Sequence, residues 1–172
     1  MKLREVKTLI SERRIRRRVA ELGREISACY GKKHLTVIFV SNGALVFAAD
    51  LIRSIKLPIR VDSVNASSYK GTKSSGKIKI GIDIKVDIGN RHVLIVDDIL
   101  DTGRTLAGVM SGIGKCRPKD IRTCVLLDKP SRRVIPLKAD FTGFEIPDVF
   151  VVGYGLDYNE YYRNLPFIGR ML

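Results

Sequence analysis

Short apolar runs that alternate with segments of helical periodicity place the strongest constraint on how this chain can fold. Strand-like runs lie at 34–40, 59–69, 93–97 and 121–129, and the first, "HLTVIFV", is rich in β-branched residues. Between the last two runs, residues 104–115 carry apolar side chains at the spacing of one helix face. The alternation predicts an α/β fold with a central, mostly parallel sheet flanked by helices.

Composition narrows the class of protein. The 172 residues suit a single domain, 1–172, and 45% of them are hydrophobic. No apolar run reaches about 18 residues, so we expect no membrane span, and the N-terminus lacks the apolar core of a signal peptide. Three cysteines without metal-ligand spacing indicate a reducing compartment, and we expect a cytoplasmic protein.

The formal net charge of +13 favours an anionic partner, whether nucleic acid, membrane surface or small molecule. Much of the basic charge lies in a predicted amphipathic helix over 11–30, where five arginines occur between Arg13 and Arg18. We interpret them as a solvated helix face. The alternative is a nucleic-acid surface, but no aromatic residues are interleaved to stack bases.

Polar residues follow three of the predicted strands. They are Ser41–Ala44 ("SNGA"), Asp97–Asp98 and Asp128–Lys129. In a parallel sheet the carboxyl ends of the strands meet at one edge, and ligands bind just beyond it. The sequence therefore predicts a binding site at this edge.

The segment "DTGRT" (Asp101–Thr105) is suited to bind an anion. Gly103 permits a tight turn, Thr102 and Thr105 supply hydroxyls, and the first N–H groups of the following helix have no partner inside it. The spacing is not that of a P-loop, because no Gly-Lys-Ser/Thr ends the segment. We interpret it as a cradle for a phosphate monoester.

Asp97 and Asp98 add a second function to the same strand end. Carboxylates accept hydrogen bonds from vicinal hydroxyls and are ligands for a hard cation such as Mg²⁺. A phosphate cradle beside two such carboxylates describes a site for ribose 5-phosphate.

The whole stretch "VLIVDDILDTGRTL" (93–106) resembles the phosphoribosyl-pyrophosphate signature of the type I phosphoribosyltransferases. "SSYKGTKSSG" (67–76), "LLDKPSRR" (126–133) and the segment 140–166 resemble the flexible loop and purine-binding part of the hypoxanthine-guanine enzymes. The resemblance implies a core over about 30–145, a small hood from the N- and C-terminal segments, and a mobile hairpin loop at about 67–80.

The resemblance also implies an activity. The enzyme transfers the 5-phosphoribosyl group from phosphoribosyl pyrophosphate to N9 of hypoxanthine or guanine, with Mg²⁺, giving IMP or GMP and pyrophosphate in purine salvage. It implies a homodimer or homotetramer, with no membrane and no nucleic acid as a partner.

Residue roles follow from the same resemblance. Asp97 and Asp98 bind the ribose hydroxyls, and Asp101 is the catalytic acid/base near purine N7. The 5-phosphate is bound by the backbone and hydroxyls of Asp101, Thr102, Gly103, Arg104 and Thr105.

Other residues are implied to bind the base, the pyrophosphate and the metal. Lys129 donates to the purine O6, Phe150 stacks on the base, and Val151 meets its edge through the main chain. Asp157 is implied as a Mg²⁺ ligand with Asp97 and Asp98, and Arg163 pairs with pyrophosphate. Asn42 and Gly43 present backbone N–H groups to pyrophosphate, where many relatives have Lys-Gly and often a cis peptide. Ser68 and Tyr69 begin the loop that closes over the site.

Two alternatives remain open from the sequence. A xanthine-preferring enzyme would use much the same residues, because the purine 2-position is read largely by main chain. A nucleotide-sensing regulator that binds nucleic acid could share the fold, since a fold does not determine function.

Overall fold

The computed structural model describes residues 5–65 and 83–172. In chain order the elements are β1 (Val6–Ile10), α1 (Glu12–Tyr30), β2 (Leu35–Ser41), α2 (Leu45–Ser54), β3 (Ile59–Asn65), β4 (His92–Leu100), α3 (Arg104–Gly114), β5 (Asp120–Asp128), a 3-10 turn (Pro130–Arg132), β6 (Phe141–Glu145), β7 (Val151–Val152) and β8 (Ile168–Met171).

Five strands form the central sheet in the order β3-β2-β4-β5-β6, and every neighbouring pair is parallel. This confirms the predicted parallel sheet. The apolar runs are continuous because the middle strands are covered on both faces. In β4, Leu94 and Val96 share a core with α1 and α2, whereas Val93 and Ile95 share a second core with α3.

β4 is longer than its apolar run predicted. Pairing with β5 continues from Asp97, opposite Val125, to Leu100, opposite Asp128. Asp97 and Asp98 therefore lie within the last part of the strand, where sheet hydrogen bonds fix their backbone.

A second, antiparallel sheet joins the two ends of the chain. β8 pairs with β1, with Val6 opposite Met171, and with β7, where Val151 lies opposite Arg170. The pairing fixes β7, and with it the main chain of Val151.

The predicted mobile loop at about 67–80, including Ser68 and Tyr69, lies outside the described residues. Within the described ranges, no helix combines the length and apolar character needed to cross a membrane.

Candidate active site

The predicted strand ends do meet at one edge of the sheet. A cavity of about 320 Å³ lies there, between the end of β2, the end of β4 and the start of α3. Its lining includes Ser41, Gly43, Asp97, Asp98, Asp101, Thr102, Gly103 and Thr105. The fold thus brings the predicted phosphate cradle and the predicted sugar-binding carboxylates to a single opening.

The predicted anion cradle contains a tight turn at Gly103, directly before α3. Gly103 has φ +83°, a left-handed conformation that favours glycine, and a Cβ there would be 3.1 Å from the Ile135 carbonyl oxygen. Thr102 supports the turn, because its carbonyl accepts the N–H groups of Val134 and Ile135, each at 3.0 Å. Arg104 and Thr105 are exposed at the first turn of α3, whose backbone N–H groups lack helical partners.

Asp97 is buried, and Asp98 beside it is partly buried. Asp97 is 5% exposed; its Oδ1 accepts the Asp98 N–H at 3.0 Å, and Asp98 Oδ1 accepts the Ile99 N–H at 2.8 Å. Burial raises the pKa of Asp97 well above its ordinary value, and the Asp98 charge raises it further. Burial also raises the pKa of Asp98. Hydroxyl donors or a cation reaching this pair would stabilise its ionised forms.

The loop after β2 lies against this pair. The Ser41–Asn42 peptide bond is cis. A Cβ on Gly43 would overlap Asp98 Oδ2, and a Cβ on Gly155 would overlap the Gly43 carbonyl oxygen. Three segments distant in sequence therefore meet at the strand end through glycines.

The C-terminal segment carries a carboxylate and a guanidinium that pair with each other. Arg163 Nη2 is 2.8 Å from Asp157 Oδ1, and Nη1 donates to the Gly155 carbonyl at 2.6 Å. The Arg163 charge lowers the pKa of Asp98, opposing the larger effect of burial. Asp157 and Arg163 are thus placed together, and Arg163 acts electrostatically on the strand-end pair.

Lys129 directly follows β5. A lysine after a strand is ordinarily exposed, but this one is buried. It is 6% exposed, and Nζ donates to the Val149 carbonyl at 2.9 Å. Phe150 follows, 56% exposed, with its ring edge-to-face with Tyr158 at 5.7 Å between centroids. An ammonium can donate to a polar edge of a flat heterocycle, and an exposed aromatic ring can stack on its face.

The profile of the phosphoribosyl transferase domain matches residues 5–159. The chain belongs to this family. It is 48% identical over 163 residues to a hypoxanthine-guanine phosphoribosyltransferase of Aquifex aeolicus, which covers 94% of this chain and 92% of the relative. It is also 48% identical over 164 residues to the corresponding enzyme of Bacillus subtilis, covering 95% and 91% of the two chains.

The three-dimensional likeness covers nearly the whole phosphoribosyl transferase domain. A crystal structure of a hypoxanthine-guanine phosphoribosyltransferase from Bacillus anthracis matches with a TM-score of 0.92 and 45% identity, covering 98% of this chain and 100% of that one.

No role was assigned from the sequence to Arg132 and Arg133, which follow Lys129 closely in the chain. Arg133 donates to the Leu100 and Asp101 carbonyls and pairs with Asp128, so it joins the ends of β4 and β5. Arg132 Nε is 3.2 Å from Asp101 Oδ1. The two arginines are visible at the end of "LLDKPSRR", but the sequence alone does not indicate which residues they contact in the folded protein.

Proposed function

We propose that this chain transfers the 5-phosphoribosyl group from phosphoribosyl pyrophosphate to N9 of hypoxanthine or guanine, a reaction of purine salvage. The observation that carries the proposal is the shared cavity of the Asp97–Asp98 pair and the α3 amino terminus, with buried Lys129 at the next strand end. The named relatives, hypoxanthine-guanine phosphoribosyltransferases at 48% identity, support the choice of base.

The cradle supplies the anchor for the donor. Backbone N–H groups and hydroxyls of Thr102, Gly103, Arg104 and Thr105 hold the 5-phosphate, and Asp97 and Asp98 accept hydrogen bonds from the ribose hydroxyls. Fixing both ends of the sugar orients its C1 toward the base and removes the entropic cost of bringing two reactants together.

The base is held by residues of two other segments. Phe150 stacks on the ring, the main chain of Val151 meets its edge, and Lys129 donates to O6. Adenine has an amino donor at that position and would leave the ammonium facing another donor, so Lys129 selects 6-oxopurines. As N9 bonds to ribose C1, Asp101 accepts the N7 proton.

Pyrophosphate leaves toward the opposite side of the sugar. Arg163 pairs with its oxygens, and the backbone N–H groups of Asn42 and Gly43 donate to it. The sequence-based prediction that Ser68 and Tyr69 begin a loop excluding water from the oxocarbenium-like transition state concerns residues outside the described ranges.

Mg²⁺ fits the residues present. Asp97, Asp98 and Asp157 offer hard oxygen ligands, and a cation beside Asp97 and Asp98 would favour the ionised forms of those two carboxylates. Within 5–65 and 83–172, no cluster of three or more His, Cys, Asp or Glu is arranged as a metal site. Mg²⁺ is commonly held by one or two carboxylates together with substrate phosphates. When bound, it would neutralise charge on the pyrophosphate.

We further propose that the enzyme is cytoplasmic and forms at least a homodimer, with a homotetramer as the larger alternative. Its three cysteines are free thiols, which suits a reducing compartment. Sedimentation at micromolar concentration should find a species of at least twice the monomer mass, and a monomer alone would contradict the dimer.

The deciding experiment is a nucleotide-formation assay. The protein is mixed with phosphoribosyl pyrophosphate and Mg²⁺, and hypoxanthine, guanine, xanthine, adenine and uracil are offered separately. We expect nucleotide from hypoxanthine or guanine, lost when a chelator is added. Preference for xanthine would select the xanthine enzyme, and no product from any base would favour the nucleic-acid-binding regulator.

A further inference from the structure

A network of charges links two groups of the proposed purine site. Arg132 ends the 3-10 turn after β5, and its Nε is 3.2 Å from Asp101 Oδ1. Its Nη1 is 3.7 Å from Asp148 Oδ1, and the same Asp148 oxygen is 3.7 Å from Lys129 Nζ. Asp148 thus lies between the two cations, and Arg132 lies between the two carboxylates.

Arg132 acts on one oxygen of Asp101. Oδ1 is shut off from solvent and accepts no aligned hydrogen bond from the residues that the structure describes, although the guanidinium is close to it. The Asp101 side chain as a whole is 34% exposed and lines the cavity. Its exposure therefore comes from its other side-chain atoms, while Oδ1 lies against Arg132.

Asp148 forms an ion pair with Lys129, as Arg132 does with Asp101. An ammonium has three N–H donors. One of them goes to the Val149 carbonyl, and Asp148 attracts the group from a second side. The proposed contact with purine O6 would use the third donor.

Purine O6 and N7 are neighbouring atoms on one edge of the ring. A protein that binds O6 through a lysine and exchanges a proton at N7 through a carboxylate must keep those two groups at a matching separation. Lys129 and Asp101 come from the ends of different strands, and the network of Arg132 and Asp148 joins them.

We propose that Arg132 is a positioning residue for the transfer reaction, which orients the Asp101 carboxylate toward purine N7 and, through Asp148, couples it to Lys129. This inference rests on the proposed function. Arg132 is 50% exposed and Asp148 53%, so their ion pair contributes little to folding stability. The role of Arg132 is therefore separable from the fold by mutation.

The test compares Arg132→Gln with Arg17→Gln. Arg17 is a matched control because it is 78% exposed on α1 and pairs with Glu21 at 3.7 Å, remote from the cavity. For Arg132→Gln we expect kcat to fall about 10-fold or more, because misplacing a reacting group is costly. The KM for phosphoribosyl pyrophosphate should change less than about twofold. Arg17→Gln should match the wild type.

Two further variants separate positioning from a general loss of charge. Arg132→Lys keeps the charge but not the fork that reaches two carboxylates, so its kcat should lie between the wild type and Arg132→Gln. Asp148→Asn should lower kcat, and the double variant Asp148→Asn with Arg132→Gln should lower it less than the two effects multiplied. Thermal midpoints of all variants should stay close to that of the wild type.

Unchanged kcat in a folded Arg132→Gln variant would overturn the inference. So would a large rise in the KM for phosphoribosyl pyrophosphate with kcat unaffected, because that result describes an arginine that binds the donor. A wild-type protein that forms no nucleotide would instead remove the proposed function. An active wild type with a fully active Arg132→Gln would remove the positioning role alone.

Discussion

Asp97 is the only buried carboxylate residue among those that the structure describes. Burial and the neighbouring Asp98 raise its pKa in the folded protein. Between the pKa of an unfolded aspartate and this raised value, the folded state binds a proton that the unfolded state has released. The free energy of unfolding therefore falls as pH rises through this interval, and the loss persists at neutral pH.

We expect Asp97→Asn to raise the free energy of unfolding at pH 7 by about 1 kcal/mol, as substitutions that relieve a strained functional site often do. The gain should shrink as pH falls and vanish below about pH 3.9, where the unfolded aspartate is also protonated. Urea unfolding at several pH values measures it. A variant that is less stable than the wild type at pH 7 would show that other interactions in the folded protein offset the cost of the ionised Asp97 and Asp98 carboxylates.

Lys129 is buried and donates a hydrogen bond to the Val149 carbonyl. Replacing it with alanine removes the donor proposed to select an O6 oxygen. We expect Lys129→Ala to lower kcat/KM for hypoxanthine by about 10-fold or more and to narrow its advantage over adenine. Competition between the two bases in one reaction measures the ratio. If adenine is rejected as strongly as before, the proposed base selection is wrong.

Asp101 is proposed to exchange a proton at purine N7, a role that acts mainly in the transition state. Asp101→Asn keeps the shape of the side chain and removes the base. We therefore expect kcat to fall about 100-fold or more while the KM values change little. Equal losses in kcat and in substrate affinity would instead indicate a positioning role for this carboxylate.

Two of the close approaches between elements around the site occur at glycines. The loop after β2 contacts β4 at Gly43 and Asp98, and the segment after β7 contacts the same loop at Gly155. Such contacts leave no room for a methyl group, so the approach of these elements depends on the absence of Cβ atoms.

Gly43→Ala should displace the Asp98 carboxylate and weaken binding of the phosphoribosyl donor by about 10-fold. Gly114→Ala is the control, because Gly114 lies at the end of α3 and, among the described residues beyond its own helical turn, no atom lies within 4 Å of an added Cβ. The control should keep full activity and change stability by less than about 1 kcal/mol. Donor titrations of both variants measure the effect, and equal affinities would show that the loop adapts.

The whole molecule carries a net charge of +13, but its arginine-rich helix is partly neutralised. On α1, Arg16 pairs with Glu12, and Arg18 with Glu21 and Glu25. Arg18 also donates to the Thr142 and Gly143 carbonyls, so it joins α1 to β6. These contacts support the interpretation of the helix as a solvated and partly packed face.

The surplus charge should speed the arrival of an anionic donor. We expect kcat/KM for phosphoribosyl pyrophosphate to fall as salt is raised from low to physiological concentration, with kcat nearly constant, because screening weakens electrostatic steering. Steady-state kinetics at several salt concentrations measure this. A steeply salt-dependent affinity for random RNA or duplex DNA at physiological salt would instead revive the nucleic-acid alternative.

The sequence by itself determined the parallel sheet and much of the site edge. The buried strands can be recognised in the sequence because both of their faces are apolar, which gives continuous apolar runs. The cradle at Asp101–Thr105 is built from consecutive residues. Its turn, helix start and adjacent carboxylates can therefore be read from local chemistry. The prediction missed β1, β6 and β8, which are short strands. Most of their residues are partly buried or exposed, and only the end of β1 and the start of β8 are buried, so their sequences show no clear apolar–polar alternation.

Only the tertiary structure decided which distant residues meet. Gly43 against Asp98, Lys129 against Val149, and Arg132 between Asp101 and Asp148 each join different segments of the chain. The periodicity of the sequence cannot predict such contacts, because they depend on the order of the strands in the sheet and on the pairing of the terminal strands. The burial of Asp97 and Lys129, and hence their chemistry, follows from that packing.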